Sequence, residues 1–115
     1  YNSKGFAYIY NDEDYKNKII NGKLDNSLLQ VSHPSLKNNT LIKITNPKTL
    51  DSLTIRNLKR IKYPDFYKIL ITKKVAEQLN IESSFPLIEI LEIKKNKSFI
   101  AKKAKIYSEE KKNIL

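Results

Sequence analysis

The sequence predicts a mainly β fold, a small barrel or sandwich with one short helix, on three observations. Apolar and polar residues alternate in several short segments, β-branched and aromatic residues dominate those segments, and Asn, Pro and Gly turn signals separate them at fairly even spacing. A parallel α/β sheet would need helices between the strands, and the pattern offers only one.

The first expected strand is "GFAYIYN" (5–11), which alternates around Phe6, Tyr8 and Tyr10. Alternation makes one face core, either the aromatic set or Ala7 with Ile9, and the aromatic set is expected to be partly exposed at a groove edge. After an Asn21-Gly22 turn comes "LLQVSH" (28–33), an apolar run ending at His33, the chain's only histidine, which precedes a Pro34-Ser35 turn and Asn38-Asn39. "TLIKITN" (40–46) sets Ile42 and Ile44 on one face and Lys43 on the other, and closes on an Asn46-Pro47 turn. "DSLTIRN" (51–57) and "FYKILIT" (66–72) are further β-branched strands. In "TKKVAEQLNI" (72–81) the pattern changes: Thr72 is suited to an N-cap, Val75, Ala76 and Leu79 form a helical stripe, and Asn80 suits a left-handed C-cap. "PLIEILEI" (86–93) is the last strand. The core is expected to draw on Val31, Ile42, Ile44, Leu53, Ile55, Ile69, Ile71, Val75, Leu79, Leu87, Ile88 and Ile90. Beyond it, "SFIAKKAKIYSEEKKNIL" (98–115) is charged, so a domain boundary is set near Asn96, with a domain over 1–96 and a charged extension, helix or linker, over 97–115.

At 115 residues the chain suits one domain, which should bury roughly two-thirds of its unfolded surface. With no Cys and one His, disulfides and thiolate metal sites are excluded, and no metal or other cofactor is expected. The chain opens on Tyr1 with no targeting segment, so a trimmed or mature segment is expected. No apolar run approaches the ~20 residues of a membrane span. The net charge of +10 raises the alternative of a basic module for nucleic acid or another anionic polymer. Its lysines, however, are scattered among abundant Asn, Ile and Tyr, the residues of AT-rich codons, and the densest patch is "KKNKSFIAKKAK" (94–105). No specific nucleic acid is expected.

The order of motifs resembles the rare lipoprotein A family of bacterial cell-envelope proteins, across roughly residues 5–93. That family opens with G-x-A-S-W-Y, matched by "GFAYIY", and continues with N-G-E-x-Y-D, matched by "NGKLD". Its A-A-H, L-P-x-G-T and V-T-N correspond to "VSHPSLKNNTLIKITN", and its V-x-V-N-D-R-G-P-F, R-I-I-D-L-S and A-A-x-x-L-G to "TIRNLKRIKY", "YKILIT" and "VAEQLN". The resemblance implies a six-stranded double-psi β-barrel, a periplasmic or outer-membrane-associated location, and lytic transglycosylase activity on peptidoglycan glycan strands lacking stem peptides.

That chemistry needs a carboxylic acid to protonate the glycosidic oxygen before the sugar's own hydroxyl closes a ring. Carried over one position at a time, the family's His is His33, but its Glu has become Lys23 and its Asp Lys59, with Leu58 before it. The Asp of I-I-D-L-S has become Leu70. An ammonium is a poor proton donor near neutral pH unless burial depresses its pKa by several units. The expectation is therefore an impaired enzyme that binds glycan strands or an envelope protein, a monomer, with the membrane reached only through a lipid anchor outside this chain. The alternative is an active transglycosylase with a displaced acid, Asp65 or Asp25. For glycan, Tyr8, Tyr63, Tyr10, Phe66 and Tyr67 supply ring faces, and Asn21, Asn57 and Arg60 supply polar groups.

Overall fold

The computed structural model describes residues 1–58 and 61–94. In chain order they form β1 (Asn2–Ile9), α1 (Asp12–Lys16), β2 (Val31–Ser32), β3 (Leu41–Thr45), β4 (Ser52–Arg56), β5 (Ile69–Ile71), α2 (Lys73–Gln78) and β6 (Leu87–Ile93). The protein is mostly β, one six-stranded sheet in the order β2-β5-β1-β6-β3-β4 that curls into a nearly closed barrel. The expected extension over 97–115 and the boundary near Asn96 lie outside the described residues, as do Lys59 and Arg60.

The pairings carry an internal repeat. β1 runs parallel to β5 and every other ladder is antiparallel. Following the directions around the sheet makes β2 and β4, its two ends, run the same way. The Leu58 N–H donates to the Val31 carbonyl at 3.2 Å across that gap, so closure is a second parallel approach. Its counterpart is the Tyr10 N–H donating to the Ile71 carbonyl at 2.8 Å, and Val31 and Ile71 are register partners. Replacing each strand by the one three further along returns the same closed order.

Two apolar clusters hold this sheet. The main core joins Val31, Ile42, Ile44, Ile69, Ile71, Val75, Leu79, Ile88 and Ile90, with Leu53 and Ile55 packed against it. Leu36 and Ala7 join it, and Leu87 is only half-buried. A second cluster of Tyr10, Ile20, Leu24, Ile61 and Leu70 covers the other side of β1 and β5. Register explains the division: Ala7 faces Ile69 and Ile9 faces Ile71, while Tyr8 faces Leu70. The second cluster covers only the C-terminal end of that face of β1, and Phe6 and Tyr8 stay half-buried. Tyr10, expected at a groove edge, is 1% exposed, with its hydroxyl donating to Asp12 Oδ1 at 2.8 Å.

The remaining differences are local. A second helix, α1, starts where the Asn11 side chain accepts the Asp14 N–H. The segment expected as a strand over 66–72 is strand only at Ile69–Ile71, because the Tyr67 N–H turns back to the Pro64 carbonyl at 3.2 Å. Thr72 has the extended backbone of an N-cap, but its hydroxyl donates to the Leu28 carbonyl at 2.6 Å and ties down the loop before β2. Asn80 takes the left-handed conformation expected of it, φ 54°.

Candidate functional site

β2 ends at Ser32, and the chain then turns through His33 and Pro34 under the control of one side chain. Asn57, just past β4, is fully buried. Its Oδ1 accepts the His33 N–H at 2.8 Å, and its Nδ2 donates to the carbonyls of His33 (3.3 Å), Leu36 (2.9 Å) and Lys37 (3.2 Å). The amide expected to meet a sugar therefore organises the histidine loop from inside. Asn21 works similarly at the surface, where its Oδ1 accepts the Lys62 N–H at 2.8 Å.

His33 is 2% exposed. Its Nδ1 accepts the Ser35 N–H at 3.2 Å, which leaves the ring proton of the neutral form on Nε2, and Nε2 has no hydrogen-bond partner among the described residues. The ring sits edge-on to Tyr1, with centroids 4.8 Å apart. Burial pushes the imidazole pKa below its ordinary value, and the charge of Glu92 on β6 partly opposes this. Tyr63 also has a buried hydroxyl without a hydrogen-bond partner among the described residues, and burial, followed by the influence of Tyr1, raises its pKa.

Beside this loop, Pro34, Lys62, Tyr63, Asp65 and Tyr67 line a cleft of about 370 Å³. The structure thus brings together the histidine loop, Tyr63 and Asp65. Asp25 lies apart from that cleft: it is exposed, accepts the Ser27 N–H at 2.9 Å and hydroxyl at 2.6 Å, and these bonds hold its carboxyl below the usual range. Lys23 is exposed, with its ammonium 5.8 Å from the centre of the Tyr15 ring. Arg60 is outside the described residues.

A larger cleft of about 630 Å³ shares only Tyr67 with the first. It follows β1 and holds Tyr8, Asp14, Phe66 and Phe85. The Tyr8 hydroxyl donates to Asp14 Oδ2 at 2.5 Å, and burial, this bond and the carboxylate's charge all raise the phenol pKa. The sequence marked Tyr8 but not Asp14, because α1 brings the two together across a turn that strand periodicity does not describe. An Asn11 N-cap followed by three acidic residues was the available signal. In comparisons with known proteins, the chain matches no protein-family model and no curated protein sequence.

Proposed function

We propose that this chain is a diverged rare lipoprotein A-like domain of the bacterial envelope that binds peptidoglycan glycan strands and has lost efficient transglycosylase chemistry. Supporting the fold half of this reading is the strand order, which is unchanged by a shift of three strands and has two parallel approaches, β1 with β5 and β2 with β4, as two interlocked psi motifs require. The observation that carries the binding half is the pair of clefts that share Tyr67, where rings and polar groups line the surface beside the loop of His33. Rings stack on the C–H faces of sugars while neighbouring polar groups take the hydroxyls.

The catalytic half turns on protons. General-acid catalysis is typically worth about 10²–10⁴-fold, and the positions that match the family's acids hold Lys23 and Lys59. His33 in its neutral, buried form assists a proton transfer only where an acid stands opposite. Asp65 is the one expected substitute in the cleft beside the histidine loop.

The test is co-sedimentation of the purified chain with stem-peptide-free glycan strands, with mass spectrometry of the supernatant. Saturable binding, weakened by Tyr63→Ala, without release of anhydro-sugars is expected. Absence of binding overturns the reading. Anhydro-sugar products that disappear in Asp65→Asn would return the chain to the active enzymes, and stronger, steeply salt-dependent binding to duplex DNA would make it a polyanion binder.

A further inference from the structure

The larger cleft has a chemistry of its own. Phe66 is 66% exposed and Phe85 45% exposed, and both pack on Phe6, at centroid distances of 5.7 and 5.0 Å. Apolar rings gathered this way on a concave surface mark an interaction site. Asn11, Asp14 and Lys73 line the same cleft. Neither Asp14 nor Lys73 forms an ion pair among the described residues. Tyr8 occupies one Asp14 oxygen, and the other has no protein hydrogen bond among the described residues.

These groups disfavour ligands of a single charge and purely apolar ones. A cation that reaches Asp14 shares the cleft with the Lys73 ammonium, and an anion that reaches Lys73 shares it with Asp14. A purely apolar side chain would desolvate both charges and return no hydrogen bond to either, a costly exchange. A neutral polyhydroxylated ring satisfies all of them: its hydroxyls donate to Asp14 and accept from Lys73 and Asn11, and its C–H faces lie on Phe66 and Tyr67.

We propose that this cleft is a saccharide site, with Asp14 accepting a hydrogen bond from a sugar hydroxyl and Phe66 providing the stacking face. The identity of the sugar, a β-1,4-linked amino-sugar strand that continues past Tyr67, rests on the glycan reading given above. The cleft volume falls within the range of about 300–1,000 Å³ usual for small-ligand sites.

The test is titration of the full chain with chitohexaose, cellohexaose and tetramethylammonium chloride, followed by amide chemical shifts and calorimetry. Chitohexaose should shift the amides of Phe66, Phe85 and Asp14, with an affinity that changes little with salt. Phe66→Ala and Asp14→Asn should each weaken it roughly two- to ten-fold, the worth of one stacking or hydrogen-bonding contact. Phe66 is exposed, so its truncation keeps the fold; a melting curve checks this for Asp14→Asn. Affinity unchanged by both variants but reduced by Tyr63→Ala overturns the cleft assignment and leaves the glycan reading standing. Cellohexaose binding as tightly as chitohexaose, with the same two variants impaired, keeps the saccharide site and removes its peptidoglycan assignment. Failure of both sugars to bind, or displacement of chitohexaose by tetramethylammonium, overturns the proposal.

Discussion

Replacing Asn57 by Ala should destabilise the barrel at its seam. The side chain spans the gap between the end of β4 and the loop after β2, where Leu58 to Val31 provides a main-chain bond. Its loss removes the bond from the His33 N–H and the donations to three carbonyls, which share the two Nδ2 protons. At about 0.5–1.5 kcal/mol net per bond, and about 1–3 kcal/mol for a buried amide left without an acceptor, the combined cost is about 3–4 kcal/mol, because the Lys37 carbonyl can turn to water. Asn57→Asp keeps the acceptor for His33 but points an oxygen at the carbonyls, so it should be at least as damaging at neutral pH. Urea unfolding followed by circular dichroism measures both. With a slope of about 1–3 kcal/mol per M, the midpoint should fall by at least about 1 M. A loss below about 1 kcal/mol, or an Asp variant as stable as the parent, would refute the seam argument. A stable Ala variant that had lost glycan affinity would instead return Asn57 to the sugar-contacting role expected from sequence.

Three further outcomes are expected. Ile44→Ala or Ile69→Ala, each at a fully buried position, should cost about 2–4 kcal/mol in the same unfolding assay. Gly22→Ala should destabilise by about 1–3 kcal/mol, since its new Cβ would come within 2.9 Å of buried Ile61; Gly5→Ala, which meets the flexible Lys68 side chain at 2.7 Å, should cost less, and equal melting temperatures for the two would refute this. Because the folded protein holds the His33 pKa below its unfolded value, the unfolded state takes up a proton first as pH falls. Stability linked to His33 is therefore complete above the ordinary imidazole value and is lost below it as pH falls toward the folded pKa, and His33→Asn should flatten that part of a stability-against-pH curve.

Strands with clean alternation were legible in the sequence. Ile42 and Ile44 around Lys43 sit where period two put them, with one face on the main core, and the run from Leu87 to Ile93 is the expected last strand, with Ile88 and Ile90 in that core. β1 was legible in part: Phe6 and Tyr8 are half-buried and line the larger cleft, as expected of a groove edge, while the second cluster buries Tyr10. The candidate site was legible only in part. Tyr63 and Asp65 line one cleft with Pro34 of the His33 loop. Asn57 was recognised as important and given the wrong work, since residue type does not reveal that an amide is enclosed by three carbonyls. Asp14 was missed because its partner, Tyr8, lies across a turn and a helix of five residues.

Strand direction relates the two clefts. β1 and β5 run one way and β2 and β4 the other, so His33, after β2, and Lys73, after β5, leave the barrel at opposite ends. The smaller cleft belongs to the His33 end, where Tyr67 also lies, just before β5 begins. From Tyr67 the larger cleft follows β1 through Tyr8 to Asn11 and reaches Lys73 at the other end. Tyr67 lines both clefts, so an extended ligand that crossed it would run from one end of the barrel toward the other. A compact ligand would occupy one cleft and gain nothing from the other. An extended polymer meets both, and the second contact is then intramolecular, which multiplies affinity without any single strong interaction. Holding a strand in this way needs no proton donor, so the proposed glycan binding does not depend on a catalytic acid.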